Sequence, residues 1–173
     1  MGDRSPFKCG LSKILGTAEE WGYINDNLAR KTKLPRRHYG AERAVLTPIQ
    51  VQDLASELHE PQRTFMLLLV LTGLRVGELL ALRWGCVDLN DRQLRIVETV
   101  YDGHFDTPKT KRGMRKIPIG PATVELFSAL RPAIVDSRDL IFAKRDGSPL
   151  DRWNLLRKHL KPAAKKLGLF GVT

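Results

Sequence analysis

One arginine of this chain, Arg75, lies where its side chain is suited to bind an anion. It sits at a glycine-flanked corner between two apolar segments. A planar guanidinium can hold a phosphate through two parallel hydrogen bonds, and a bound anion would offset the unfavourable position of a cation at a helix start. The alternative is an ordinary surface arginine. Glu78, three residues later, either orients Arg75 or complements the helix dipole.

A second group of cations lies between residues 109 and 116, where five lysines and arginines occur without an acid. They are Lys109, Lys111, Arg112, Arg115 and Lys116. A hairpin tip with this charge fits a nucleic-acid groove, in which lysine and arginine contact phosphates. The alternative is a turn whose charges serve only solubility.

Two further basic regions lie outside these motifs. One is a stretch around Arg36 and Arg37, and the other is the last predicted helix, around Lys158. Both are candidates for contacts with backbone phosphates, although lysine on an exposed helix face is also common. The net charge of +10 favours a polyanionic partner, most often nucleic acid.

Several protein classes are disfavoured by composition. The longest uncharged apolar run, residues 65–71, has seven residues, whereas a membrane span needs about 20. The two cysteines and four histidines are scattered without metal-ligand spacing, so neither a metal nor a cofactor is predicted. A reduced cytoplasmic setting, with association to the nucleoid when DNA is bound, is the simplest expectation.

The elements that must position these residues begin with helices. Thr47, which is followed by Pro48 and Gln50, forms a capping box that predicts a helix to about Leu58. A second helix starts near residue 61, carries the apolar run 65–71 buried on nearly all sides, and ends at Gly73 in a left-handed conformation. A third helix is predicted over 76–84.

The period then changes from helical to alternating. Residues 94–101, 105–109 and 115–119 read as strands, which predicts a three-stranded antiparallel meander with the basic turn between its last two strands. Helices follow over 121–130 and about 151–167, the latter bent at Pro162. The predicted fold class is α+β, mainly helical with a small three-stranded antiparallel sheet.

Composition also suggests a division of the chain. Residues 1–28 read as the C-terminal remnant of a helical domain, because one helix and a turn cannot bury a core. Residues 29–45 form a basic linker with few apolar residues. Residues 46–173 form the main domain.

The two motifs together resemble the catalytic domain of the tyrosine recombinase (phage integrase) family. The segment 72–84 resembles its first arginine box, residues 108–119 resemble its lysine hairpin, and residues 15–27 resemble the close of its core-binding domain. The resemblance implies metal-free phosphoryl transfer on DNA through a 3′-phosphotyrosine. It implies that Arg75 is the first of two phosphate-binding arginines, that Lys109 is the general acid, and that Glu78 supports the site.

The family's next motif, a histidine, an arginine and a second histidine followed by the nucleophilic tyrosine, is expected where this sequence reaches Thr173. The three tyrosines, Tyr23, Tyr39 and Tyr101, lie upstream of that place. The expectation is therefore a partial catalytic domain that binds double-stranded DNA without cleaving it alone, with intact recombinase protomers as a second candidate partner. The alternative is a non-enzymatic DNA- or RNA-binding module, or a remnant integrase that acts as a regulator.

Overall fold

The computed structural model describes residues 6–33, 45–107 and 114–169. The chain divides into two compact units, Met1–Glu42 and Arg43–Thr173. The domain boundaries placed at residues 28 and 45 stay predictions. Most of the predicted linker, including Arg36 and Arg37, lies outside the described residues.

The first unit contains helix α1 (Pro6–Glu20) and the short helix α2 (Leu28–Lys31). Asn27 joins them, because its side chain donates to the Ser12 carbonyl at 2.7 Å and accepts from the Ala29 amide at 3.2 Å. Asn27 is fully buried, so these two bonds satisfy a polar group that has no access to water. A single side chain thus caps α2 and fixes it against α1.

The second unit begins with two helices whose ends follow the sequence signals. Helix α3 (Pro48–Ser56) opens with the predicted capping box, in which Gln50 N donates to Thr47 Oγ1 at 3.3 Å and Thr47 N to Gln50 Oε1 at 2.9 Å. Helix α4 (Gln62–Thr72) ends at Gly73, whose φ of 64° is left-handed. Both predicted features are confirmed, and Gly73 turns the chain into the corner that carries Arg75.

Helix α5 (Val76–Leu80) is shorter than predicted and ends four residues before Trp84. Residues beyond it bond to a distant segment instead of continuing the helix. Ile141 N donates to the Leu82 carbonyl at 3.0 Å, and Trp84 N donates to the Asp139 carbonyl at 3.0 Å. A short 3₁₀ turn, Trp84–Cys86, follows. The predicted helix to residue 84 is wrong because this long-range pairing competes with the local helical bonds.

The strands also differ from the predicted meander. Strands β1 (Val87–Asp88), β2 (Gln93–Ile96) and β5 (Arg115–Pro118) form an antiparallel sheet in the order β1-β2-β5, while β3 (Thr99–Tyr101) and β4 (His104–Asp106) form a separate hairpin. The strand predicted over 94–101 is therefore broken after Ile96. Its second half leaves the sheet because β3 packs against α5.

Helix α6 (Pro121–Leu130) matches its prediction. The last helical stretch consists of α7 (Arg152–Asn154), a π-helical segment (Leu155–Leu160) and α8 (Lys161–Lys166). Pro162 explains the wider turn, because it lacks an N–H and its ring would clash with the carbonyl four residues before it. The predicted bend at Pro162 therefore takes the form of a π segment.

The main core lies between α4, α5, α6 and the sheet, with Phe65, Leu68, Leu79, Leu94 and Phe127 almost fully buried. A smaller cluster joins α3, α4 and α8. The expectation that α4 is buried on nearly all sides is wrong for Val70 and Leu71, which are about half exposed. The mainly helical α+β class with a small antiparallel sheet is confirmed. The core holds α5 firmly behind the corner at Arg75.

Candidate functional site

Arg75 caps the N-terminus of α5 and points its side chain into solvent. Its backbone is extended, with φ −69° and ψ 148°, directly after the left-handed Gly73 and Leu74. The Arg75 side chain is 80% exposed. The corner thus fixes the backbone of Arg75 while leaving its guanidinium accessible to a ligand.

Glu78 is the centre of the cluster, and its side chain is only 6% exposed. Glu78 Oε2 accepts from the backbone N of Arg75 at 2.9 Å, and Glu78 Oε1 accepts from Arg75 Nη1 at 3.1 Å. Glu78 therefore pairs with Arg75 and also lies in the first turn of α5, where a negative charge complements the helix dipole.

Arg115, the first residue of β5, completes the cluster. Its Nη1 donates to Glu78 Oε1 at 2.9 Å and its Nη2 donates to Glu78 Oε2 at 2.9 Å. This is the bidentate fork that makes arginine–carboxylate pairs strong and geometrically specific. Arg115 is 32% exposed, so its guanidinium is partly withdrawn from water. One buried carboxylate therefore links two arginines from separate parts of the chain.

The electrostatics keep this carboxylate ionised. Burial alone would raise the pKa of Glu78. The hydrogen bond from Arg115, the backbone and side-chain bonds from Arg75 and the positive charge of Arg115 outweigh burial, so the net pKa lies below its ordinary value. The hydrogen bond with Glu78 in turn raises the pKa of Arg115. The cluster has two cations for one anion, and it leaves a net positive charge at the exposed guanidinium of Arg75.

A close backbone contact holds the helix that carries Glu78. A Cβ added at Gly77 would lie 2.6 Å from the Val100 carbonyl oxygen and 2.7 Å from Thr99 Oγ1. Only a glycine allows β3 to approach α5 this closely. The hairpin β3–β4 is held further by Arg83, which donates to Glu98 at 3.3 Å and stacks 5.2 Å from the centre of the Phe105 ring.

The structure therefore brings Arg75, Glu78 and Arg115 together. Lys158 is exposed on the π-helical segment. The remaining predicted site residues lie outside the described residues, and their roles stay predictions; they are Lys109, Lys111, Arg112, Arg36 and Arg37.

The contact between Arg115 and Glu78 was missed in the sequence, where Arg115 was counted with the DNA-binding cations of the hairpin. The available signal was strand alternation. Arg115 and Ile117 share one face of β5, and Ile117 lies opposite the buried Leu94. An arginine on a core-facing side needs an acidic partner, but the partner lies 37 residues away, beyond any local pattern.

Two kinds of feature are absent from the described part of the chain. No helix in the described ranges is long and apolar enough to cross a membrane. Among the same residues, no group of three or more histidine, cysteine, aspartate or glutamate side chains is placed to hold a metal ion.

Solved structures show which fold this chain has. The Tn1549 transposon integrase in complex with a circular intermediate DNA superposes with a TM-score of 0.75 at 23% identity, over 93% of this chain and 57% of that chain. A lambda integrase dimer bound to a COC′ core site gives a TM-score of 0.68 at 21% identity, over 94% of this chain and 44% of that chain. The chain has the fold of the tyrosine recombinase catalytic domain.

Sequence comparison then gives the family. Residues 44–170 match the model of the phage integrase family, and the chain belongs to that family. The integrase of Staphylococcus phage L54a is 33% identical over 116 residues, which cover 57% of this chain and 32% of that protein. The ICEBs1 integrase of Bacillus subtilis (strain 168) is 36% identical over 75 residues, which cover 41% of this chain and 20% of that protein. The chain thus spans about a third or less of these relatives.

Proposed function

We propose that this chain binds double-stranded DNA through its phosphates and contributes Arg75 to the strand-transfer site of a site-specific recombinase. One observation carries the proposal. Arg75 has an exposed guanidinium whose Nη1 is held by a buried carboxylate, and that carboxylate is held by a second arginine. Such a cation is oriented before its ligand arrives, so little reorganisation is needed on binding.

The chemistry of this arrangement suits a phosphate. In the described part of the chain, the pairing with Glu78 engages Nη1 of Arg75, which leaves other donors of the guanidinium for a ligand. Phosphoryl transfer spreads negative charge over the equatorial oxygens of the transition state, and fixed cations stabilise that charge without a metal. Arg75 supplies this stabilisation in the proposed reaction.

Lys109 is the proposed general acid toward the leaving 5′-oxygen. It precedes Arg115 by six residues, and a chain of that length spans at most about 20 Å. Arg115 itself contacts Glu78, so the short sequence separation is compatible with Lys109 reaching the phosphate that Arg75 is proposed to bind. The linker arginines Arg36 and Arg37, with Lys111, Arg112 and Lys158, are proposed to contact backbone phosphates, which position a protein on DNA without reading sequence.

The related structures support DNA as the ligand, and they suggest other protein chains as partners. The Tn1549 integrase and the lambda integrase were solved in complexes with DNA, and one lambda integrase structure is a tetramer on a Holliday junction. We therefore include other recombinase protomers among the proposed partners and the nucleoid as the proposed location. Sedimentation of the protein with and without duplex DNA tests the proposed protomer partners. Assembly predicts a complex with more than one protein chain per duplex, and a complex with a single chain would count against it.

The proposed DNA contact is tested with Arg75→Ala. Arg138 is a matched control, because its side chain is 87% exposed and is paired with an acid, Asp136, at 3.4 Å. We expect Arg75→Ala to weaken binding of a labelled duplex about tenfold, a loss typical of one strong contact, and Arg138→Ala to change it much less. Equal losses for the two variants would show that Arg75 contributes only a general charge.

A further inference from the structure

Arg115 differs from Arg75 in how its guanidinium is used. Arg115 directs both Nη1 and Nη2 to Glu78, one to each oxygen, and its side chain is 32% exposed. Arg75 contributes one side-chain nitrogen to the same carboxylate and remains 80% exposed. Both arginines bind Glu78, but Arg115 binds it through two nitrogens, whereas Arg75 binds it through one side-chain nitrogen and faces the solvent.

The bidentate contact of Arg115 with Glu78 also affects the orientation of Arg75. The fork of Arg115 fixes the plane of the Glu78 carboxylate, because two parallel hydrogen bonds allow little rotation. The fixed Oε1 atom then sets where Arg75 Nη1 lies. Without Arg115, only the backbone N and Nη1 of Arg75 would still hold Glu78. The carboxylate would then have more rotational freedom, and it could draw the Arg75 guanidinium away from a ligand.

Arg115 also occupies a particular place in the chain. It is the first residue of β5 and comes six residues after Lys109 in the sequence. Its bond to Glu78, 37 residues away, joins the start of β5 to the first turn of α5. The same contact therefore links β5 to the helix start that carries Arg75.

We infer that Arg115 is a positioning residue, which acts on DNA through Glu78 and Arg75 rather than by contacting a phosphate itself. This assignment replaces the sequence-based prediction that Arg115 belongs to the DNA-contacting cations. It rests on the proposed function, because it presumes that Arg75 contacts DNA.

A double-mutant cycle on duplex DNA binding tests the inference. The proteins are the wild type, Arg75→Ala, Arg115→Ala and the double variant. Arg115 acting through Arg75 predicts that each single change weakens binding about tenfold and that the double variant is weakened about tenfold as well, because both changes remove one contact. Losses that multiply to about a hundredfold would overturn the positioning role.

Arg95 provides the matched control for this cycle. It lies on β2, is exposed, and donates to the Gly85 carbonyl at 2.6 Å, whereas its neighbours Leu94 and Ile96 face the core. Arg95→Ala combined with Arg75→Ala should give losses that multiply. Coupling of Arg95 equal to that of Arg115 would mean that non-additivity is general, and it would overturn the inference.

Two measures keep the outcome interpretable. If Arg115→Ala does not fold, Arg115→Lys takes its place, because an ammonium lacks the bidentate fork. The same coupling with Arg75→Ala is then expected. Losses that multiply would again reject the positioning role of Arg115. If Arg75→Ala alone leaves binding unchanged, the proposed function fails. If it weakens binding and the losses multiply, only the role of Arg115 fails.

Discussion

Gly77 offers a sharp test of how α5 is held behind the site. A Cβ at this position would lie 2.6 Å from the Val100 carbonyl oxygen, where an ordinary contact begins at 3.4 Å. The neighbour is backbone, and it belongs to β3, which is paired with β4. A Gly77→Ala variant therefore has to separate α5 from β3 by about 0.8 Å.

The expected effect has two opposing parts. Overpacking of this kind destabilises by about 1–3 kcal/mol, occasionally more. Alanine in place of glycine favours the helix by roughly 0.5–1 kcal/mol. We therefore expect a net loss of about 1–2 kcal/mol in the free energy of unfolding, or roughly 2–8 °C in melting temperature for a chain of this size.

The assay is thermal and urea unfolding followed by circular dichroism. Gly10→Ala is the control, because Gly10 lies inside α1 and a Cβ there meets nothing within 4 Å; without overpacking, the alanine should leave stability unchanged or raise it by roughly 0.5–1 kcal/mol. Gly77→Ala as stable as the wild type would refute the close packing of β3 on α5.

Three further predictions concern the other contacts. The folded pKa of Glu78 lies below its ordinary value of 4.5. The stability advantage of the wild type over Glu78→Gln should therefore be full above about pH 4.5 and decline as pH falls through the folded pKa. Urea unfolding across the acid range checks this, and an advantage that grows on acidification would contradict it. Asn27→Ala removes the cap of α2 and should destabilise that helix by roughly 1–2 kcal/mol, seen as faster hydrogen exchange at the Ala29 amide. A nicked DNA substrate that traps covalent intermediates should yield no adduct with this chain, because Tyr23, Tyr39 and Tyr101 all precede Lys109, whereas the family resemblance places the nucleophile after it; an adduct would reject that expectation.

Local signals predicted the parts of the fold that depend on neighbours in sequence. The capping box at Thr47, the left-handed Gly73 and helix α6 all rest on residues within a few positions of each other. The end of α5 could not be predicted in this way. It depends on the hydrogen bond that Ile141 N donates to the Leu82 carbonyl and on the one that Trp84 N donates to the Asp139 carbonyl, and such partners are known only once the chain has folded.

The candidate site likewise combines a local contact, which the sequence predicted, with a contact between distant segments, which it did not. The segment around Arg75 identified the exposed arginine and its acidic neighbour because both belong to one helix start. The role of Arg115 depends on which face of β5 points to the core and on a carboxylate from another element. Charge alone grouped Arg115 with the hairpin cations, whereas the structure pairs it with a buried acid.

The salt dependence of DNA binding tests the central claim, that Arg75 contacts a phosphate, most directly. For the wild type, the logarithm of the association constant should fall linearly with the logarithm of salt concentration. Arg75→Ala should reduce the slope by about one, the value for a single lost phosphate contact. Arg75→Lys should keep the slope and still bind more weakly, because lysine retains the charge without the fork. An Arg75→Ala slope equal to that of the wild type would contradict the account.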